Sequence, residues 1–562
     1  MSWKLKEKSR GILAREEGHH KKVWGEALTV CLAYPNVYRT GMSNLGFQVI
    51  YELINSTPGC LCERVFLPDP DDEAEYIQGG MSLFSLESER PVAEFDVVAF
   101  SLSFENDYPN ILKMLSMSGI TLLSRERKKG EPLILGGGIA ETLNPEPVAD
   151  FFDLFILGEA EEAVGVFLAA CLKAQNSGLD REALLFSLQK DIEGVYVPRL
   201  YEVSYENNQF IKSMTPVDDQ LPRRIRKRTA ADINTFLTEQ SIFTVDTELG
   251  DMFISEVSRG CGRGCRFCAA GFVFRPVRFR KAEFLQESFV KALAIRGKIG
   301  LLGTAVSDHP ELLNLCRFIR EREGRVAIGS LRLDRLNPDL LMLLKEGGLE
   351  TVALAPEAGS SRLREVIRKG ITEEHIYQAV EMLTDATIEN IRLYFMVGLP
   401  SEEDKDIDAI VELTKKIRHH ADRHSQGERS FKRITLSINQ FIPKTATPFQ
   451  WYPLTDVKTV KKRINKIAAA FRRDASIKVI HDLPKWNYIQ ALLSLGDRRI
   501  SAILLAVHHN GGNWPQALKE VNINPDFYVY RQKDISEILP WDFIDHGVGR
   551  EFLLEEYHRS RA

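Results

Sequence analysis

Three cysteines within eight residues set the tightest limit on what this chain can fold around. Cys261, Cys265 and Cys268 sit in the run Ser258-Arg-Gly-Cys-Gly-Arg-Gly-Cys-Arg-Phe-Cys-Ala-Ala-Gly271. Three thiolates on one short loop can hold three irons of a [4Fe-4S] cluster and leave the fourth iron open to a small molecule. Glycines 260, 262, 264 and 271 let the loop wrap such a cluster and turn backbone N–H groups toward its sulfurs. Arg263 and Arg266 are expected to add positive charge beside it. A zinc site wants four ligands in paired knuckles, and no fourth Cys or His lies near in sequence. A disulfide framework fits a chain of 562 residues with eight cysteines poorly.

Length predicts two or three domains, and 44% hydrophobic residues are enough to give each a core. A net charge of -5 gives no general attraction to nucleic acid or to an anionic membrane. Apolar runs such as Ile500–Val507 are far too short to span a bilayer. The start, Met-Ser-Trp-Lys-Leu-Lys-Glu-Lys, lacks the apolar core of a signal peptide. The other cysteines (Cys31, Cys60, Cys62, Cys171 and Cys316) stand in apolar contexts and read as buried packing. These features predict a cytoplasmic protein with no membrane partner.

Residues 1–200 alternate apolar strands and helices, with strands ending in Ser101-Leu-Ser103, Gly136-Gly-Gly138 and Gly158-Glu159. That pattern predicts an open parallel, Rossmann-like sheet with ligands at the strand carboxyl ends. Residues 201–245 read as a basic connector carrying Pro222-Arg-Arg-Ile-Arg-Lys-Arg228, a solvated charge run or a phosphate-contacting strip. Alternation resumes over 246–474 with six strand candidates, which suits a partial (β/α)6 TIM-type barrel. Residues 475–562 are expected to be a mainly helical C-terminal region. The fold class is therefore α/β.

The C-x3-C-x2-C spacing, with Phe267 before the last cysteine, resembles the radical S-adenosylmethionine (SAM) superfamily. The resemblance implies that the open iron chelates SAM, and that one-electron cleavage gives a 5′-deoxyadenosyl radical, with a flavodoxin or ferredoxin as electron donor. It also implies SAM contacts at successive strand ends. Gly303, Thr304 and Ala305 stand where the superfamily commonly has Gly-Gly-Glu, a departure that leaves the amine contact to backbone carbonyls, Thr304 or nearby Asp308. Ser330 and Arg332 follow, with Arg332 suited to a bidentate pair with the SAM carboxylate. Glu357 suits the ribose or amine, and Gly398 and Pro400 a close approach to adenine.

Ala355-Pro-Glu-Ala-Gly-Ser-Ser-Arg-Leu-Arg364, Tyr394–Pro400 and Phe441–Phe449 resemble a subgroup carrying an amino-terminal cobalamin-binding-type domain, including an uncharacterised branch of it. On that reading Ser101, Ser103, Gly136, Gly137, Gly138 and Glu159 face cobalamin. The loop Tyr34-Pro-Asn-Val-Tyr-Arg-Thr-Gly41 lacks the axial histidine motif, so Arg39 or Tyr38 would face the lower side of the corrin. The implied activity is cobalamin-dependent methylation of an unactivated carbon. The alternatives are cobalamin-independent modification of RNA or protein, and a non-catalytic protein that binds the cluster and cobalamin. Methylthio transfer normally needs three further cysteines, and the motifs around Cys31, Cys60, Cys62 and Cys171 do not match. Trp514, Trp541, Lys485 and Arg498-Arg499 suit either a macromolecular substrate or a dock between domains. No residue stands out as proton donor or radical quencher.

Overall fold

The computed structural model describes residues 2–561 apart from Glu26, Asn208, Ser330, Glu428 and Arg429. Leu28–Tyr34 (β1) is buried at every position, as a strand covered on both faces must be. It lies inside a six-stranded sheet with Cys60–Phe66 (β2), Val97–Ser101 (β3), Leu133–Gly137 (β4), Leu154–Ile156 (β5) and Val195–Tyr196 (β6), in the order β2-β1-β3-β4-β5-β6. Every pairing is parallel except β5–β6. The chain moves outward from β1 to β2 and then crosses back to β3. That reversal opens a crevice at the carboxyl edge between β1 and β3.

Tyr201–Glu206 (β7) and Phe210–Pro216 (β8) form an antiparallel pair. The basic run beyond them is not a free charged strip. Ile225–Arg226 (β9) pairs in parallel with Ile544–Asp545 of the tail, and the Arg228 backbone bridges to Gly158. Lys227 is buried, and Arg228 is paired with Glu162 and Glu193.

The central region contributes Phe253–Glu256 (β10), Ser258–Arg259 (β11), Arg278–Phe279 (β12), Lys298–Leu302 (β13), Arg325–Ile328 (β14), Thr351–Glu357 (β15), Asn390–Val397 (β16), Arg433–Gln440 (β17) and Ile477–His481 (β18). Two parallel sheets result, β10-β13-β14 and β15-β16-β17-β18, separate between β14 and β15. They form an unclosed barrel wall of seven strands, with β11 and β12 as a small antiparallel pair at its edge. The expectation of six strands missed β18, which lies in the stretch assigned to the helical tail. Its Ile434↔Ile477 register extends the barrel core past residue 474.

The tail is the second departure. Its helices Pro484–Leu495 and Ile500–His509 share one core with the face of the first sheet that carries Cys31, Val98 and Phe155. Helices Leu45–Ser56 and Glu161–Ser177 cover the opposite face. Asn144 donates to the carbonyls of Ser494 and Gly496 at 3.0 and 2.8 Å. Arg498 reaches Glu146 and the Tyr196 hydroxyl. Trp514, Trp541 and Arg498 thus serve the dock between domains. Among the described residues no helix is long and apolar enough to cross a membrane.

Candidate functional site

The three cysteines sit on an excursion, residues 260–277, whose base is closed by the β11–β12 pair. Gly260 makes that closure possible. It has φ +83°, and a Cβ there would lie 2.1 Å from the Phe274 carbonyl oxygen. Cys265 is buried and the other two thiols are half-buried. Burial pushes the Cys265 thiol up to about 11; Cys268 and Cys261 add to the rise, and the cations Lys369 and Arg332 oppose it. Burial also raises Cys268, opposed by N–H groups of Ala270 and Gly271 that point at its sulfur.

Each buried thiol therefore lies within electrostatic reach of the other cysteines and of a lysine, an arrangement that favours an anionic iron–sulfur group over free thiols. Among the described residues, no three His, Cys, Asp or Glu side chains are gathered as a single metal ion needs. Cluster ligands instead each take a different iron.

The arginines inside the motif are tied to carboxylates, although Arg263 stays within electrostatic reach of Cys261. Arg263 is held by Asp308 and by Asp334, the latter at 3.1 Å. Arg266 is buried against Glu556 at 3.0 Å. Further cations come from other elements, Arg332 from the loop after β14 and Lys369 from the turn after the helix Ser361–Val366. Lys369 bridges Glu357 at 3.0 Å, and Glu357 itself has φ +68°, the left-handed region that non-glycine residues occupy at a cost. Arg332 forks onto Asp334 at 2.9 and 3.2 Å, and its backbone N–H donates to Ser307. Asp308, a candidate for the SAM amine, is committed to Arg263.

Beside this loop lies a cavity of about 460 Å³ at the carboxyl edge of the first sheet. Ser101, Ser103, Gly136, Gly137, Gly138 and Glu159 line it from the sheet, and Gly303 and Thr304 line it from the end of β13. Asn44 enters it by capping the helix Leu45–Ser56 through the Phe47 N–H while donating to Ser103 Oγ at 2.8 Å. Ser258 contributes a buried hydroxyl with no partner among the described residues, an atom a ligand could satisfy. Most of the remaining wall is aliphatic, from Leu32, Val49, Leu135 and Ile156 among others.

The polar rim is an ion network between the two halves. Arg259 meets Glu159 at 3.2 Å, Glu161 at 2.8 Å and Glu256 at 2.7 Å, and Arg278 meets Glu159 at 2.5 Å. Burial tends to raise the Glu159 carboxyl, but these two guanidiniums outweigh it and hold the group below its ordinary value. Glu159 is therefore engaged in joining the halves, and the cavity meets its charge already neutralised.

Other predicted residues lie elsewhere. Arg39 is off the cavity lining, largely exposed and paired with Glu248 at 3.1 Å, and Tyr38 bonds Glu16, so neither fills the place of an axial group. Ala305 is buried behind Thr304. Gly398 and Pro400 are buried beyond β16, where Gly398 (φ +82°) donates to Glu402 at 2.7 Å. Phe267 packs against the small core of Leu363, Ile367 and Leu399. Ser330 lies outside the described residues.

Asn44, Ser258, Arg259 and Lys369 were not singled out from sequence. Asn44 alone carried a local signal, as an N-cap before an apolar helix.

Residues 46–198 match the family described as "Radical SAM proteins, N-terminal", and residues 255–414 match "Radical SAM superfamily". The uncharacterised protein MJ0966 of Methanocaldococcus jannaschii is 29% identical over 84% of this chain and 90% of its own length. The threonylcarbamoyladenosine tRNA methylthiotransferase MtaB of Aquifex aeolicus is 26% identical over 36% of this chain and 52% of that protein. Among solved structures, the cobalamin-dependent S-adenosylmethionine radical enzyme OxsB aligns with a TM-score of 0.48 at 13% identity, covering 95% of this chain and 79% of that one. That likeness is remote, and the assignment does not rest on it. With the cysteine loop at the edge of a seven-stranded parallel wall and both matches in place, the chain belongs to the radical SAM superfamily.

Proposed function

We propose that this radical SAM enzyme methylates an unactivated carbon with cobalamin as the methyl carrier. The observation that carries the reading is the shared cavity. One wall is the carboxyl edge of a doubly wound parallel sheet, and the other is Ser258, Gly303 and Thr304, flanking the cysteine loop. A cofactor in the crevice of the first sheet therefore opens directly onto the site where SAM is to be split. When bound, the cluster supplies the electron that cleaves SAM, and the corrinoid supplies a transferable methyl group.

The chain's own residues do the positioning. Cys261, Cys265 and Cys268 hold the cluster, and Lys369 and Arg332 offset its negative charge. Gly303 keeps the end of β13 flat, since a Cβ there would lie 2.4 Å from Ser258 Oγ. The aliphatic walls exclude water from the crevice, and Asn44, Ser101, Ser103 and Ser258 offer neutral hydrogen-bonding groups to a large amide-rimmed ligand.

Methylthio transfer is the rival suggested by the tRNA-modifying relatives, and one observation weighs against it. Cys31, Cys60, Cys62 and Cys171 are all buried, with thiols raised by burial, and none lines the cavity. A second cluster at the cavity has no ligands there.

The test is anaerobic reconstitution with iron and sulfide, followed by SAM, reductant and hydroxocobalamin. Retained cobalamin together with 5′-deoxyadenosine or S-adenosylhomocysteine in the products supports the proposal. Iron–sulfur absorbance with SAM cleavage but no cobalamin retention would overturn the methyl-carrier half and leave a cobalamin-independent radical enzyme.

A further inference from the structure

The last helix of the chain, Arg550–Arg559, lies against the cysteine loop although 290 positions separate its Glu556 from Arg266. Arg266 directly follows Cys265, and all of its reach is spent on anchoring. Its backbone N–H donates to the Ile367 carbonyl at 3.0 Å. Its guanidinium donates to the carbonyls of Glu365 and Val366 at 3.1 and 2.8 Å, and to Glu556 Oε2 at 3.0 Å.

Glu556 is almost wholly buried; it also ion-pairs with Arg368 at 2.9 Å and accepts from Arg559 at 3.0 Å. One carboxylate thus ties the cysteine loop, the turn leading to Lys369 and the carboxyl-terminal helix together. Phe552, a turn earlier, packs with Phe272 of the loop, and the Arg275 guanidinium lies over both rings, 5.3 and 5.5 Å from their centroids. The helix is fixed from behind by Tyr557 against Trp451 and Tyr452.

A buried carboxylate among three guanidiniums is costly to assemble, and removing it leaves the buried Arg266 guanidinium without its anion. We propose that Glu556 is a positioning residue for the cluster, the catch by which the C-terminal helix latches the Cys265 segment in its ligating conformation. The proposal rests on the cluster reading above.

The test uses the full-length chain, reconstituted anaerobically, with iron release to a chelator followed by absorbance and the reduced cluster followed by electron paramagnetic resonance. Glu556→Ala is expected to lose iron about ten-fold faster than wild type, with a broadened resonance signal and a lowered thermal midpoint. Glu556→Gln, which keeps an acceptor oxygen, should fall between them. Glu555→Ala, which removes only an exposed partner of Arg559, should match wild type. If Glu556→Ala does not fold, Arg266→Lys carries the same comparison, because a lysine cannot reach both the carboxylate and the carbonyls. Wild-type release rates in the Glu556 or Arg266 variants would overturn the latch alone. A wild-type chain that takes up no iron and sulfide would overturn the cluster reading and the latch with it.

Discussion

Lys369 sits 101 positions beyond Cys268, yet its ammonium pulls the thiols of both Cys265 and Cys268 toward the ionised form, with Glu357 as its 3.0 Å partner. A cation beside an anionic cluster favours the reduced state, which carries one more negative charge. Lys369→Gln is therefore expected to shift the cluster midpoint potential downward, by an amount on the order of tens of millivolts, in an anaerobic redox titration. An unchanged potential would remove Lys369 from the site's electrostatics.

A second residue with a readable consequence is His546, whose ring nitrogens have no partner among the described residues. Burial, reinforced by Lys227, pushes it down to about 3. The unfolded chain takes a proton near pH 6.5 and the folded chain does not, so this contribution is whole above pH 6.5 and drains away as pH falls toward 3. Near pH 5 the loss is about 2 kcal/mol. His546→Phe should flatten the acid side of the stability profile relative to wild type in denaturant titrations at several pH values.

The cysteine loop was legible in sequence because its chemistry is local in spacing. Lys369 was not, because a turn between helices a hundred residues away leaves no mark near the motif. The partners of Arg263 and Arg266 were hidden for the same reason, since their carboxylates come from distant elements.

At the scale of elements, the Gly136-Gly-Gly138 strand end marked the cavity, but its three glycines have different reasons to be there. Gly138 has φ +130°, and a Cβ would lie 2.2 Å from the Leu102 carbonyl oxygen; Gly136 is crowded by the Phe155 ring at 2.5 Å. Gly137 meets only the Ile156 carbonyl oxygen, at 3.7 Å, and faces the open cavity. Gly138→Ala should thus cost about 2–3 kcal/mol from backbone strain alone, before any clash is relieved. Gly137→Ala should leave the thermal midpoint near wild type and weaken retention of added hydroxocobalamin in gel filtration. Equal effects from both substitutions would contradict this division.

The strands themselves were readable from their apolar runs, and β3 ends at Ser101, inside the Ser101-Leu-Ser103 end expected for it. The order β2-β1-β3 was not readable, because pairing across the sheet is set by tertiary packing rather than by any one segment's pattern. The short strand β18 was lost to the helical expectation around it, although Ile477, Val479 and Ile480 are an apolar, β-branched set broken only by Lys478.

For the whole molecule, the decisive fact is that the tail belongs to the first sheet. Trp541 and Arg498 were readable as a dock between domains or a macromolecular contact, but nothing in the tail's sequence named which surface it covers. A chain ended after His481 would expose that face, with Phe155 and Tyr196 opened to water. The expected result is loss of amide-exchange protection in β1–β5 with protection of β15–β17 retained, read by hydrogen–deuterium exchange. Protection of both sheets in the truncated chain would contradict the shared core.

That shared core also has a consequence in time. A ribosome delivers residues 28–196 first, but the cover for one side of their sheet is among the last segments to emerge. The barrel strands, made in between, have their own core in hand by His481. The amino-terminal half must therefore wait, one apolar side unsheltered, while its younger neighbour folds. The helices that cover the first sheet, Pro484–Leu495 and Ile500–His509, precede the one that catches the cysteine loop, so the sheet is sheltered before the loop is latched.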